Sequence, residues 1–74
     1  MRFYVARARI GRLDVVDLAG RRIARLADGV QSAGWHTATW DGRDARGHAV
    51  APGALFLRLD AGDVTVTRKL MLLR

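Results

Sequence analysis

Several side chains that do chemistry in small domains are missing from this chain or nearly so. It has no cysteine, so neither a disulfide framework nor a thiolate metal site can supplement the core. That absence says nothing about redox compartment. Glutamate is also missing, so every acidic side chain is an aspartate. Ser32 is the only serine, and His36 and His48 are the only histidines. A Ser-His-Asp arrangement would need Ser32 beside one of those histidines on an oriented scaffold, and both fall in strand or turn settings. Two histidines without a third ligand make no metal centre. His36 is instead expected to pack its ring beside Trp40, with its polar edge at a strand end. No apolar run approaches the roughly 18 residues of a membrane helix. The basic N-terminus is not followed by a hydrophobic stretch, so it does not read as a signal peptide. The chain is therefore expected to be no enzyme, to carry no cofactor and to make no membrane insertion.

What remains is small and basic. A chain of 74 residues makes one domain at most, and at this size only about 60% of the unfolded surface is buried. Half of the residues are apolar and 27% charged, a globular balance rather than a disordered one. The net charge is +6, and 12 of the 13 cations are arginines. A basic balance invites a nucleic-acid reading. Here the arginines are scattered along the whole chain, and most of the aromatic residues are expected where a core needs them. Nucleic acid is not an expected partner.

The most informative segment is Trp40-Asp41-Gly42-Arg43-Asp44-Ala45-Arg46-Gly47, followed by Pro52-Gly53 and the apolar alternation Leu55 to Leu59. Trp40 supplies buried area, Asp41 and Asp44 can cap turns through their carboxylates, and Gly42 and Gly47 take positive φ cheaply. Calcium would need six to eight oxygens in an ordered loop. Asp41 and Asp44 are separated by an arginine, and Asp63 stands apart, so turn capping without metal is the expectation.

Turn signals recur at Gly11, Ala19-Gly20, Asp28-Gly29, Ala33-Gly34, Asp41-Gly42, Gly47, Pro52-Gly53 and Ala61-Gly62-Asp63. That spacing predicts an all-β chain of short strands, with no linker, low-complexity tract or internal repeat. Period-two segments predict strands at Arg2 to Ala6, Arg12 to Asp17, Arg22 to Leu26, Gly34 to Trp40, Leu55 to Asp60 and Val64 to about Leu73. Gly20 is expected in the left-handed conformation after Asp17. The segment Arg21 to Val30 also carries helical spacing at Ile23, Leu26 and Val30, but so short a helix would be marginal, and a strand is preferred. The expected core is Leu13, Val15, Ile23, Trp40, Leu55, Leu57 and Leu59.

These residues resemble a known family. Leu13-Asp14-Val15-Val16-Asp17-Leu18-Ala19-Gly20-Arg21-Arg22-Ile23, then Leu26, is similar to the opening "strand, D-x-x-G-R-x-V, strand" of FlgD-type immunoglobulin-like domains. Ala33 to Asp44 with Gly47 and Val50, Gly53 to Leu59, and the terminal Arg68-Lys69-Leu70-Met71-Leu72-Leu73-Arg74 continue the resemblance over nearly the whole chain. Leu55 and Leu57 stand where the family has tyrosines, and its "N-P-F-N-P" lead-in is absent. The resemblance implies a small antiparallel Ig-like or fibronectin type III-like β-sandwich. It further implies one domain over residues 1–74, the C-terminal part of a longer protein with its first strand truncated.

The function implied is that of a non-catalytic C-terminal module of a secreted or cell-surface bacterial protein. It would be a structural spacer or a sorting and anchoring signal of the type IX kind. A flagellar hook-capping domain, and a carbohydrate- or protein-binding module, are the alternatives. Expected partners are the rest of the parent polypeptide, neighbouring domains or secretion machinery. The candidate recognition residues are Arg68 and Lys69, a basic pair before the apolar end of the chain, and Trp35. Trp35 is out of phase with Trp40 and either covers loose core or anchors a partner. Leucines on both faces of the last strand imply burial on both sides or an exposed apolar face.

Overall fold

The computed structural model describes residues 2–5, 7–62 and 64–73. The period-two segments become strands β1 (Arg2–Val5), β2 (Arg9–Val16), β3 (Arg22–Gln31), β4 (Gly34–Thr37), β5 (Gly53–Ala61) and β6 (Val64–Leu72). All pairings are antiparallel, in a four-stranded sheet of order β3-β2-β5-β6 and a two-stranded sheet of β1 and β4. No helix occurs among the described residues. The architecture is that of a small Ig-like β-sandwich. Ala6, Asp63 and Arg74, which the sequence placed in a strand, a turn and the terminal run, lie outside the described residues.

β2 is flanked on both sides, and Leu13 and Val15 on its inner face have no exposure at all. Fully burying such aliphatic side chains contributes about 1.5–3 kcal/mol each. Around them the interior divides in two. Val15, Ala24, Leu55 and Leu57 lie under Trp40 and Val50 of the long β4–β5 connection. Val5 and Leu13 meet Ala38, Ala27 and Leu59 beneath the small sheet. One half of the large sheet is therefore covered by a loop and the other by β1 and β4. Leu13, Val15, Leu55 and Leu57 are buried, whereas Ile23, Trp40 and Leu59 are half-buried at the margins of these clusters. Trp40 sits there because its indole N–H reaches outward to the Arg43 carbonyl at 2.8 Å.

β3 departs most from expectation. It runs through Asp28-Gly29 to Gln31 rather than turning there, with Gly29 paired opposite Gly11 and holding φ 111° inside the strand. Gly11 likewise lies within β2. The pairing of β3 with β2 skips Leu26, between Leu13↔Ala27 and Asp14↔Arg25, and skips Ile23, between Val15↔Ala24 and Val16↔Arg22. Each skipped residue is a bulge. Two bulges three positions apart turn Ala24 and Ala27 to the same inner face, with Ile23 and Leu26 beside them. The helix-like spacing of this segment is thus the signature of a twice-bulged strand. Two further limits shift: β4 ends at Thr37, although His36, Ala38 and Trp40 stay on the less exposed side as far as Trp40, and β5 extends from Gly53 to Ala61.

Candidate functional site

The conspicuous loop is built for its own closure. Asp41 Oδ1 accepts the Arg43 N–H at 3.0 Å, and Asp44 Oδ1 accepts those of Arg46 and His48 at 2.9 Å each. The Arg43 guanidinium donates to the Gly47 carbonyl at 2.9 Å, and the Ala45 N–H ties the loop to the Ile23 carbonyl of β3 at 3.2 Å. Gly42 and Gly47 hold φ 79° and 84°, a region that strains any residue with a Cβ. The His48 backbone bond, with a smaller contribution from Arg46, holds the Asp44 carboxyl below the usual carboxylate range. These oxygens serve the main chain, and no group of metal-ligating side chains occurs among the described residues.

The turn between β2 and β3 repeats the same construction. Asp17 N–H donates to the Arg21 carbonyl and Gly20 N–H to the Asp17 carbonyl, while Asp17 Oδ1 accepts from Ala19 and Arg21. Asp44, Arg46, Gly47 and His48 make the same four bonds in the same order, and Gly20 and Gly47 share φ values of 85° and 84°. Even the second oxygen is alike, facing Arg21 Nε at 3.3 Å in one turn and His48 Nδ1 at 3.9 Å in the other. The signal was present in the sequence as Asp-x-x-Gly followed by a basic residue. It was missed because a five-residue repeat is too short to stand out from ordinary turn composition.

At the lone serine the described contact is with the main chain. His36 Nε2 donates to the Ser32 carbonyl oxygen at 2.7 Å, which gives the ring its polar partner at the strand end. The buried acid is elsewhere. Asp14, on the outer face of β2, is 2% exposed and accepts from Arg25 Nε at 2.9 Å and Nη2 at 3.4 Å, with Arg58 Nη2 at 3.9 Å on its other side. The hydrogen bond to Asp14, opposed in part by desolvation, raises the Arg25 pKa further. Arg12 and Asp28 extend this charged row at 3.5 Å. Cross-strand register puts these groups together: Asp14 lies opposite Arg25 of β3 and Arg58 of β5. The sequence pattern alone does not reveal that register.

Several exposed features lie on edge strands. Arg68 and Lys69 occupy β6, an edge strand, but Arg68 is paired with the inward-facing Leu57 and Lys69 with Phe56 of the outer face. The pair expected to form one basic patch is therefore divided between two faces, because neighbours in a strand point opposite ways. At the end of the same strand Met71 and Leu73 are exposed while Leu70 and Leu72 pack inward, so the apolar terminal run has one open side. Trp35 is 64% exposed on the outer face of the small sheet and does not cover the core. It lies opposite Tyr4, edge to face at 5.3 Å between ring centroids, and the Arg2 guanidinium stacks 4.7 Å from its centroid. Tyr4 and Trp35 thus depart from the expectation that most aromatics serve the core.

A family model described as "FlgD Ig-like domain" matches residues 5–67. No curated protein and no solved structure matches the chain.

Proposed function

The chain belongs to the FlgD Ig-like domain family, and from that premise we propose that it is a non-catalytic module of a secreted or surface-associated bacterial protein. It works by holding and presenting strand edges. The observation that supports this is the use of its polar groups. The loop carboxylates close turns and the buried carboxylate braces a sheet, while β1, β4 and β6 leave Tyr4, Trp35, Val64 and Met71 exposed, as β2, β3 and the turn between them leave Ile10, Val30 and Leu18. Within this reading the finer role is that of a terminal spacer that docks on the rest of its polypeptide through β6. A sorting signal of the type IX kind would use the same strand, with Arg68 and Lys69 read from opposite faces.

A fusion to a periplasmic reporter in a host with type IX secretion separates these roles. Export that is lost in Lys69→Ala or Arg68→Ala, with an unchanged melting curve, supports a signal. Exposed charges contribute within about 1 kcal/mol, so folding should not confuse the result. A wild-type fusion that stays in the periplasm leaves the spacer. The family match favours a flagellar hook-assembly role equally. Its test is replacement of the Ig-like domain of a hook-capping protein by this one, with swimming as the readout.

A further inference from the structure

β1 pairs with β4 along one edge, and its other edge has no strand partner among the described residues. Beside that edge runs a groove of ≈ 270 Å³ whose walls include Val5, Gly11, Leu59, Ala61, Val64 and Val66, with no contribution from β4. It therefore lies on the open side of β1, over the paired ends of β5 and β6. Its depth has a local cause. Gly11 carries no side chain, and a Cβ there would stand 3.2 Å from the Asp60 carbonyl and 3.4 Å from the Ala61 Cβ, so two adjacent positions leave the floor low.

Among the described residues that line the groove the one charged side chain is a cation. Arg9 lines it, and Arg7 stands in the connection that leaves β1. Neither has a carboxylate partner among the described residues. On the outer face of β1, Arg2 is held in place by the Trp35 ring rather than by an acid. A strand edge with no described strand partner, an apolar trough on its inner side and, on its outer face, the Arg2 guanidinium with no carboxylate partner among the described residues specify complementary chemistry.

We propose that β1 accepts an added strand from a partner polypeptide, an extended segment alternating apolar and acidic residues. Its main chain pairs with the free edge of β1. Its apolar side chains fill the groove over Leu59, Ala61, Val64 and Val66, and its carboxylates, which alternation turns to the outer face, meet Arg2. The surface goes beyond the role proposed for β6: it shares Val64 and Val66 with that strand but uses the edge of β1, so a change at Arg2 tests it without touching β6.

The probe is a capped synthetic peptide of about eight residues alternating valine and glutamate, titrated calorimetrically into the whole chain. Binding should weaken as salt is added, and a valine–lysine peptide should not bind. Arg2→Glu and Val64→Asp, both surface changes, should each lower affinity about tenfold or more with little change in melting temperature. If Val64→Asp fails to fold, Arg2→Glu carries the test. Two further peptides, N-methylated at every glutamate or at every valine, each block one strand edge, and at least one of them should lose binding about tenfold. No binding at millimolar peptide, equal binding of the lysine peptide, or full binding by both methylated peptides would overturn the proposal. So would a dimer in sedimentation that the peptide does not dissociate, since a second copy would then be the occupant.

Discussion

On the outer face of the four-stranded sheet an aspartate, Asp14, is 2% exposed, while on the outer face of the two-stranded sheet a tryptophan, Trp35, is 64% exposed. Hydrophobicity predicts the reverse. The difference lies in sheet width. Asp14 sits on a strand with neighbours on both sides, and the side chains of Arg25 and Arg58, paired with it in register, close over it. Trp35 has β1 on one side and nothing described on the other, so its ring finds Tyr4 and Arg2 and is otherwise in water. Position in the sheet decides burial, and residue type then decides what burial costs.

The comparison can be broken most sharply from beneath. Leu13→Ala removes a side chain with no exposure beneath the small sheet and should cost about 3–5 kcal/mol. For a domain this small, most of the chain should then be unfolded at room temperature, as read by circular dichroism. A melt that overlaps wild type would remove β2 from the centre of the structure. Next in size is Asp14→Ala, expected to cost about 2–3 kcal/mol, because the arginines it leaves are partly exposed and can be rehydrated. A chemical-denaturation midpoint unmoved by this change would show that the outer charged row contributes nothing. Trp35→Ala should cost less than about 1 kcal/mol, the scale of an exposed aromatic pair with a cation stacked on it. A larger loss would mean that the small sheet depends on its outer face after all.

The smallest effect is electrostatic. The folded state holds the Asp44 carboxyl below its ordinary range, so its charge favours folding at neutral pH, and that contribution fades as pH falls through the lowered value. Asp44→Asn keeps an oxygen for both N–H groups and loses the charge. Its melting temperature should lie slightly below wild type at neutral pH, and the two should converge in acid. A gap that persists unchanged at low pH would place the effect in geometry instead.

Much of the fold was legible because two signals agree locally. Leu13, Val15, Leu55 and Leu57 alternate with polar residues, and Gly20, Gly42 and Gly47 stand where the chain must take positive φ. The errors cluster where a long-range pairing decides. Nothing local announces that β3 runs on past Gly29, since the bulges at Ile23 and Leu26 exist only relative to β2. The buried Asp14 looked like any outward strand aspartate until β3 and β5 closed on it. The division of Arg68 from Lys69 is the opposite case, since strand alternation alone separates them once the segment is taken as β6. The open edge of β1 is a property of topology and has no sequence signature.

The twin Asp-x-x-Gly turns have a consequence for how this module tolerates change. Their closure uses only main-chain groups, one carboxylate and one glycine, so the two intervening positions, Leu18-Ala19 and Ala45-Arg46, carry none of it through their side chains. All four of these residues are exposed. The five-residue cassettes 17–21 and 44–48 are therefore interchangeable parts, and both reach the same surface depression, one through Arg21 and the other through Arg46 and His48. Variation, natural or engineered, can enter at those two ports while the frame beneath keeps its shape, and at Ala45-Arg46 it also alters what the depression displays.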